Sequence, residues 1–315
     1  MNSNSRFRWW HETVLVIFLV GLLLAAAQAM PNFVSSRSQL VLSKHIWETA
    51  LLALGMTLIV ITGGIDLSVG SAMGMCAVAF GISYEFTGSV SVSCLVCLLT
   101  GAFGGALNGY FIAKLRVHPL IVTLATYAAF RGIAEGVSQG HSYSRFGESF
   151  GALARGTWWA FPLAGYIFVG LAIGYWILLA KTPTGRYIYA IGHSEQAALF
   201  SGVRVDRIKF LLYTSSGLLA GLSTLIYVSR FDTAKADAGT GFELDVITAV
   251  VIGGTSIFGG RGNIVGTVLG LALIHETKLL VGRYWQIDEL KSVLVGVTLI
   301  VSVLAYQALS PKNRK

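Results

Sequence analysis

Charged side chains are the first thing this chain lacks. Only 12% of its 315 residues are Asp, Glu, Lys or Arg, about half the roughly 25% of soluble domains. With 54% hydrophobic residues and a mean hydropathy of +0.69, an ordinary globular protein is excluded and a polytopic membrane protein is implied. Cysteine is nearly absent too. Cys76, Cys94 and Cys97 all fall in apolar runs. Cys94-x-x-Cys97 has no second pair, no nearby His and no βαβ context, so packing as small buried hydrophobes is expected. No G-x-x-x-x-G-K-[ST] phosphate loop occurs anywhere in the chain, so it is expected neither to bind nor to hydrolyse ATP. Six scattered histidines form no H-E-x-x-H, and no catalytic constellation is left.

What is present is a series of apolar runs. They predict spans at 14–29, 45–62, 69–84, 90–113, 118–136, 161–180, 209–229, 244–259, 264–281 and 290–309, most of them near the ~20 residues that crossing a bilayer requires. The expected fold is all-α and polytopic, about ten transmembrane helices in one domain over 1–315. Ala27-Gln28-Ala29 has the shape of a signal-peptidase site, but the repeated spans favour an uncleaved signal-anchor. With both termini cytoplasmic, 13 of the 23 Lys and Arg fall on inner segments and 8 on outer loops. The short inner loops are the denser ones, as the positive-inside rule expects. The net charge of +8 therefore reads as topology and needs no nucleic-acid partner.

Glycine marks the places where helices touch or stop. Gly101, Gly105 and Gly109 recur every fourth residue on one helix face, the small-xxx-small device of close membrane packing, and Asn108 beside them can hydrogen-bond across helices. Between two apolar runs stands Ile61-Thr62-Gly63-Gly64-Ile65-Asp66-Leu67-Ser68-Val69-Gly70-Ser71. Paired glycines loosen a helix, and Asp66 stands where the next helix begins, able to cap its free N–H groups. Two readings fit: a short turn with Asp66 in water, or a break in a membrane helix that protein must cover. A second glycine-rich break lies at 253–262, which with five helices per half suggests an inverted 5+5 repeat in poor register.

The segment 181–208 is the longest inner loop. Thr182-Pro183-Thr184-Gly185 should end the preceding span, and 194–202 reads as a short helix with Ser194 as N-cap and Gly202 as stop. Elsewhere, Arg131 and Glu135 are four apart and suggest a mutual ion pair, while Glu276 and Lys278 suggest snorkelling or pairing. The outer loop 230–243, with Asp232, Lys235, Asp237 and Glu243, reads as a charged rim. Trp47, Tyr127 and Asn108 are the aromatic or polar candidates near predicted spans for touching a solute.

The block GGIDLSVGS resembles the signature of permease subunits of bacterial ATP-binding-cassette importers for monosaccharides, the ribose, xylose, rhamnose, galactoside and autoinducer-2 group. Two further blocks in the same order, 185–198 and 239–262, are similar to that family's cytoplasmic coupling segment and C-terminal glycine-rich block. The resemblance implies a hinge or pathway at Gly63, Gly64, Asp66, Ser68 and Gly70, and ATPase coupling through Gly192, His193, Ser194, Glu195, Ala197, Ala198, Ser201 and Gly202. It implies a glycine block of Gly253, Gly254, Gly259 and Gly260. At His193 the family more often has a small residue. The implied partners are an ATPase subunit that carries the ATP and Mg, a second permease subunit identical or paralogous, a periplasmic or extracellular sugar-binding protein, and the lipid of a bacterial inner membrane. This chain itself is expected to bind no cofactor. A same-superfamily permease for amino acids or nucleosides is disfavoured by IDLSVG. An ion-coupled secondary transporter would have Asp66 as its one tempting ion ligand, and a membrane enzyme lacks a catalytic set.

Overall fold

The computed structural model describes residues 10–30, 32–159, 161–287 and 289–309; Arg6, Arg8, Lys312, Arg314 and Lys315 of the charge argument lie outside them. Its helices are α1 (Trp10–Ala29), α2 (Ser36–Leu42), α3 (Trp47–Ile61), α4 (Val69–Thr87), α5 (Val90–Gly109), α6 (Pro119–Ser138), α7 (Glu148–Arg155), α8 (Leu163–Lys181), α9 (Pro183–His193), α10 (Glu195–Phe200), α11 (Val205–Phe231), α12 (Phe242–Ile252), α13 (Ile264–Trp285) and α14 (Glu289–Leu309). A π turn, Tyr110–Lys114, extends α5. Four two-residue strands form two antiparallel pairs: β1 (Tyr143–Ser144) with β4 (Thr233–Ala234), and β2 (Thr157–Trp158) with β3 (Phe161–Pro162).

Among the described residues seven helices are long and apolar enough to cross a membrane: α1, α4, α5 with its π turn, α6, α8, α11 and α13. An eighth forms if α2 and α3, bent by 53° at their junction, are taken as one span. The expected span at 244–259 is corrected: α12 has 11 residues and reaches only ~16 Å at 1.5 Å per residue. Glycines at 253, 254, 259 and 260 turn the chain instead, three of them at positive φ. The segments 183–193 and 148–155, expected as loop, are the helices α9 and α7.

Helix α3 is the axis. Fourteen of its 15 residues are buried, the mark of a helix that is apolar on every side and enclosed by others. The 27-residue α11 runs beside it and spans ~40 Å, so α9 and α10 at its start and α7 at its end lie at opposite ends of the bundle. The Gly101, Gly105 and Gly109 face packs on α11 as expected. A Cβ on Gly105 would meet the Tyr213 carbonyl and the Gly217 backbone, and one on Gly101 the Gly217 carbonyl. Cys97 donates to the Gly221 carbonyl at 3.4 Å, and all three cysteines are free. At the α7 end Phe146 and Phe150 pack on Phe80, with ring centroids 5.0 and 5.1 Å away. Helix α1 is fastened at the other end by His11 on the Ile252 carbonyl, 2.8 Å, and by Glu12, which accepts from Asn263 at 2.7 Å.

Backbone-to-backbone packing predicts a sharp contrast between glycines. Gly105→Val forces α5 from α11 and should destabilise by at least about 1–3 kcal/mol, the range for overpacking. Gly132→Ala, inside α6 with open space around it, should leave the melting temperature in detergent unchanged or slightly raised, since alanine favours the helix.

Candidate functional site

The turn between α3 and α4 is built around Asp66, which is 2% exposed. Water therefore does not solvate it, and the wet-turn reading fails. Its Oδ1 accepts from the backbone N–H of Ser68 at 3.0 Å and from Ser68 Oγ at 2.6 Å, and its Oδ2 accepts from Ser216 Oγ on α11 at 3.2 Å. Asn108 on α5 donates Nδ2 to Ser68 Oγ at 2.8 Å, the interhelical bond its position suggested. Thr123 on α6 donates to the Ile65 carbonyl at 3.2 Å. One carboxylate thus ties the turn to α5 and α11, and Ser68 rather than Asp66 occupies the N-cap position of α4. Gly64 fits beneath Tyr213, whose hydroxyl oxygen would stand 2.6 Å from a Cβ there.

Three separate sequence blocks meet at the end of α3. The Gly260 N–H donates to the Ile61 carbonyl at 2.8 Å. Gly192 of α9 lies against both: a Cβ on it would collide with the Ile61 carbonyl oxygen and the Gly260 nitrogen. A Cβ on Gly259, at φ +85°, would come within 2.8 Å of the Gly192 carbonyl and 3.0 Å of the Gly63 nitrogen. His193 covers Gly260 and bonds the Tyr189 carbonyl at 2.8 Å, while Tyr189 donates its hydroxyl to the Gly262 carbonyl at 2.7 Å. The rest of the glycine block does other work. Gly253 admits Gly266 and Gly270 of α13, and Gly254 faces His11.

From this junction the chain enters α10 as expected. Ser194 Oγ accepts from the Ala197 N–H at 3.2 Å, Ser201 donates to the Ala197 carbonyl at 2.8 Å, and Gly202 stops the turn at φ +81°. Ala198 is buried with Ile191 and Val205, and Glu195 pairs with Lys209 at 2.6 Å. Phe200 projects from this support, 89% exposed.

Gly70 belongs elsewhere. Segment 233–241 runs along α4 with one side, while Lys235 and Asp237 on its other side are exposed. Tyr143, paired with Ala234, lies over Gly81; the Ala236 carbonyl faces Gly74; and the Gly239 carbonyl and Glu243 face Gly70. Arg131 on α6 donates to the Ala236 and Ala238 carbonyls. The expected Arg131–Glu135 pair is absent among the described ion pairs, because the guanidinium serves this backbone instead. Lys278 pairs with Asp245 at 2.5 Å, not with Glu276, which accepts from Gln39 at 3.4 Å. A buried pair that sequence reasoning missed, Glu48 with Arg230 at 2.8 Å, joins α3 to α11; its partners are 182 residues apart in sequence, beyond any helical spacing rule. Of the sugar candidates, Trp47 is packed among Phe161 and Phe168 and Asn108 is committed to Ser68.

Removing the Asp66 carboxylate strands several buried donors, each costing about 1–3 kcal/mol when left unpaired. Asp66→Ala should lower the melting temperature of the purified protein clearly, and Asp66→Asn, which keeps an acceptor, should lower it less. Equal melting curves for the two variants and the parent would refute this role.

Comparison with known proteins agrees with this architecture. The profile of a family described as the permease component of the branched-chain amino acid transport system matches residues 46–303. The ribose import permease of Bacillus subtilis is 37% identical over 282 residues, covering 87% of this chain and 86% of that protein. Its Escherichia coli counterpart is 36% identical and covers 94% of both. The autoinducer 2 import system permease of Photorhabdus temperata is 30% identical over 96% of this chain and 92% of its own length. No solved structure matches. The three blocks on which the resemblance rested all fall inside the matched span, and this chain belongs to that family of transport permeases.

Proposed function

We propose that this chain is the transmembrane subunit of an ATP-driven importer for a monosaccharide or sugar-like solute. The observation that carries the reading is the likeness, over nearly the whole chain, to permeases named for ribose and autoinducer 2 import. The family description names branched-chain amino acids, but the full-length relatives point to sugar-like cargo. ATP and Mg belong to a separate ATPase chain, a second permease completes the path, and a soluble receptor delivers the cargo. The α9–α10 end faces the cytoplasm and the α7 end faces outward, with the chain lying in a bacterial inner membrane and forming one permease domain.

The supported α10 and its exposed Phe200 form the ATPase contact. Displacement of α10 is handed through Gly192 to Ile61 and Gly260, because atoms in direct backbone contact cannot move independently. The finer symmetry of the fold is an inverted repeat, with the α3–α4 break pairing with segment 233–241 rather than with 253–262. Helices α4 and α12 then start from opposite directions where Gly70 meets Gly239 and Glu243.

Tagged protein drawn gently from its own membranes should bring a phosphate-loop ATPase with it, and vesicles holding the complex should take up labelled ribose or a related sugar only with ATP. Gly192→Val should lower that uptake at least tenfold while the ATPase still co-purifies. Activity on an ion gradient without any ATPase would overturn the proposal in favour of a secondary transporter. Competition by leucine but not by sugars would move the cargo to branched-chain amino acids.

A further inference from the structure

Segment 233–241 has a consequence for where cargo passes. Its course is fixed by two independent depth markers. Along α4, itself a candidate span, it runs from Gly81 to Gly70, a descent of ~16 Å at 1.5 Å per residue. From α6, another span, Arg131 reaches its carbonyls from the thirteenth of 20 helical positions. Thus a non-helical stretch lies at the depth of the bilayer. Such backbone persists only against protein or a water-filled cavity.

One side of the segment is against protein, with Ala234, Ala238 and Gly239 buried. The other side carries Lys235, Asp237 and Thr240, all exposed. Two formal charges and a hydroxyl at this depth are incompatible with lipid, since intramembrane charges face the bundle interior or water. The Thr240 hydroxyl donates to the Asp237 carbonyl at 2.7 Å, which fixes the turn between them. Glu243, buried, has an Oε2 with no hydrogen-bond partner and lies against Gly70 at the foot of the segment.

We infer that the exposed side of 233–241 lines the aqueous path, with Asp237 and Thr240 offering hydrogen bonds to a small polyhydroxylated solute as it passes. This rests on the importer reading above. These groups suit a polyol because a carboxylate accepts from its hydroxyls and a threonine hydroxyl can accept or donate. Lys235 stands nearer the outer end, and Arg131 is a positioning residue that holds the segment in place through its carbonyls.

The test is accessibility in membrane vesicles containing the whole importer. Asp237→Cys and Thr240→Cys are compared with Phe103→Cys, an exposed apolar position on α5, using a membrane-impermeant cationic methanethiosulfonate. The parent, with its three native cysteines, gives the background. The two path positions should react at least tenfold faster than Phe103→Cys, slow at least threefold when receptor and transported sugar are present, and lose uptake on modification. Reaction within twofold of Phe103→Cys would overturn the inference, as would labelling that leaves uptake intact. Disulfide formation between two copies through Asp237→Cys, without reagent access, would assign this face to a closed protein interface and overturn it too. ATP-driven uptake by unmodified vesicles reports on the importer reading separately, so failure of one is not failure of the other.

Discussion

No backbone amide or carbonyl can be left unpaired where water is absent, and this constraint governs three irregular stretches of the chain, 62–68, 233–241 and 253–262. The three stretches meet it differently. At 62–68 two side chains and one backbone amide do so: Asp66 accepts the Ser68 N–H, Thr123 covers the Ile65 carbonyl, and the Gly260 N–H covers that of Ile61. At 233–241 local turns and the Thr240 hydroxyl are joined by the Arg131 guanidinium, whose several donors suit adjacent carbonyls better than an ammonium would. At 253–262 the chain closes on itself through turns, with Ser256 donating to the Arg261 carbonyl and Gly259 to that of Ser256. Polar groups in the membrane are thus placed where the helix ladder is interrupted.

Glycine permits the second economy, close approach. Where Gly192 meets Gly260 and Ile61, and where Gly105 meets Gly217, main chain touches main chain. Apolar association gains little from water release inside lipid, so dispersion between closely approaching backbones holds such helices together. It also makes these contacts unforgiving, since no flexible side chain stands between the helices to absorb a displacement.

These two constraints explain what could be read from sequence. Apolar length and small-residue periodicity are local, so most spans, the Gly101-Gly105-Gly109 face and the Ser194 cap of α10 were legible. Asp66 was legible as an anomaly, though its partners on α5 and α11 were not. What escaped was long-range or mixed in signal. Helix α12 and the turns after it form one apolar run, and hydropathy cannot distinguish helix from folded-back chain. Arg131 was assigned to Glu135 because that neighbour is four residues away, whereas its actual partners are carbonyls, which carry no sequence signature. The junction of Gly63, Gly192, Gly259 and Gly260 joins blocks that resemblance had singled out one by one and only the fold assembled.

The arrangement dictates where motion can occur. At one end α3 is held to α11 by the Glu48–Arg230 pair, 2.8 Å, and by Ser223, which donates to the Glu48 carbonyl at 2.8 Å. Separating a buried pair leaves an uncompensated charge and costs about 3–5 kcal/mol, so α3 and α11 move as one body there. At the other end α3 stops at Ile61, where its last carbonyl is bonded to Gly260 and touched by Gly192. A displacement arriving through α9 therefore acts on the free end of a rod pinned at its far end. The rod itself is buried on all sides and cannot bend without opening the core. The strain falls on 62–68, where glycine allows backbone rotation and where Asp66 carries the only charge, and from there on α4, against which 233–241 is laid. The proposed coupling contact and the proposed path are adjacent because both rest on the same seven-residue break.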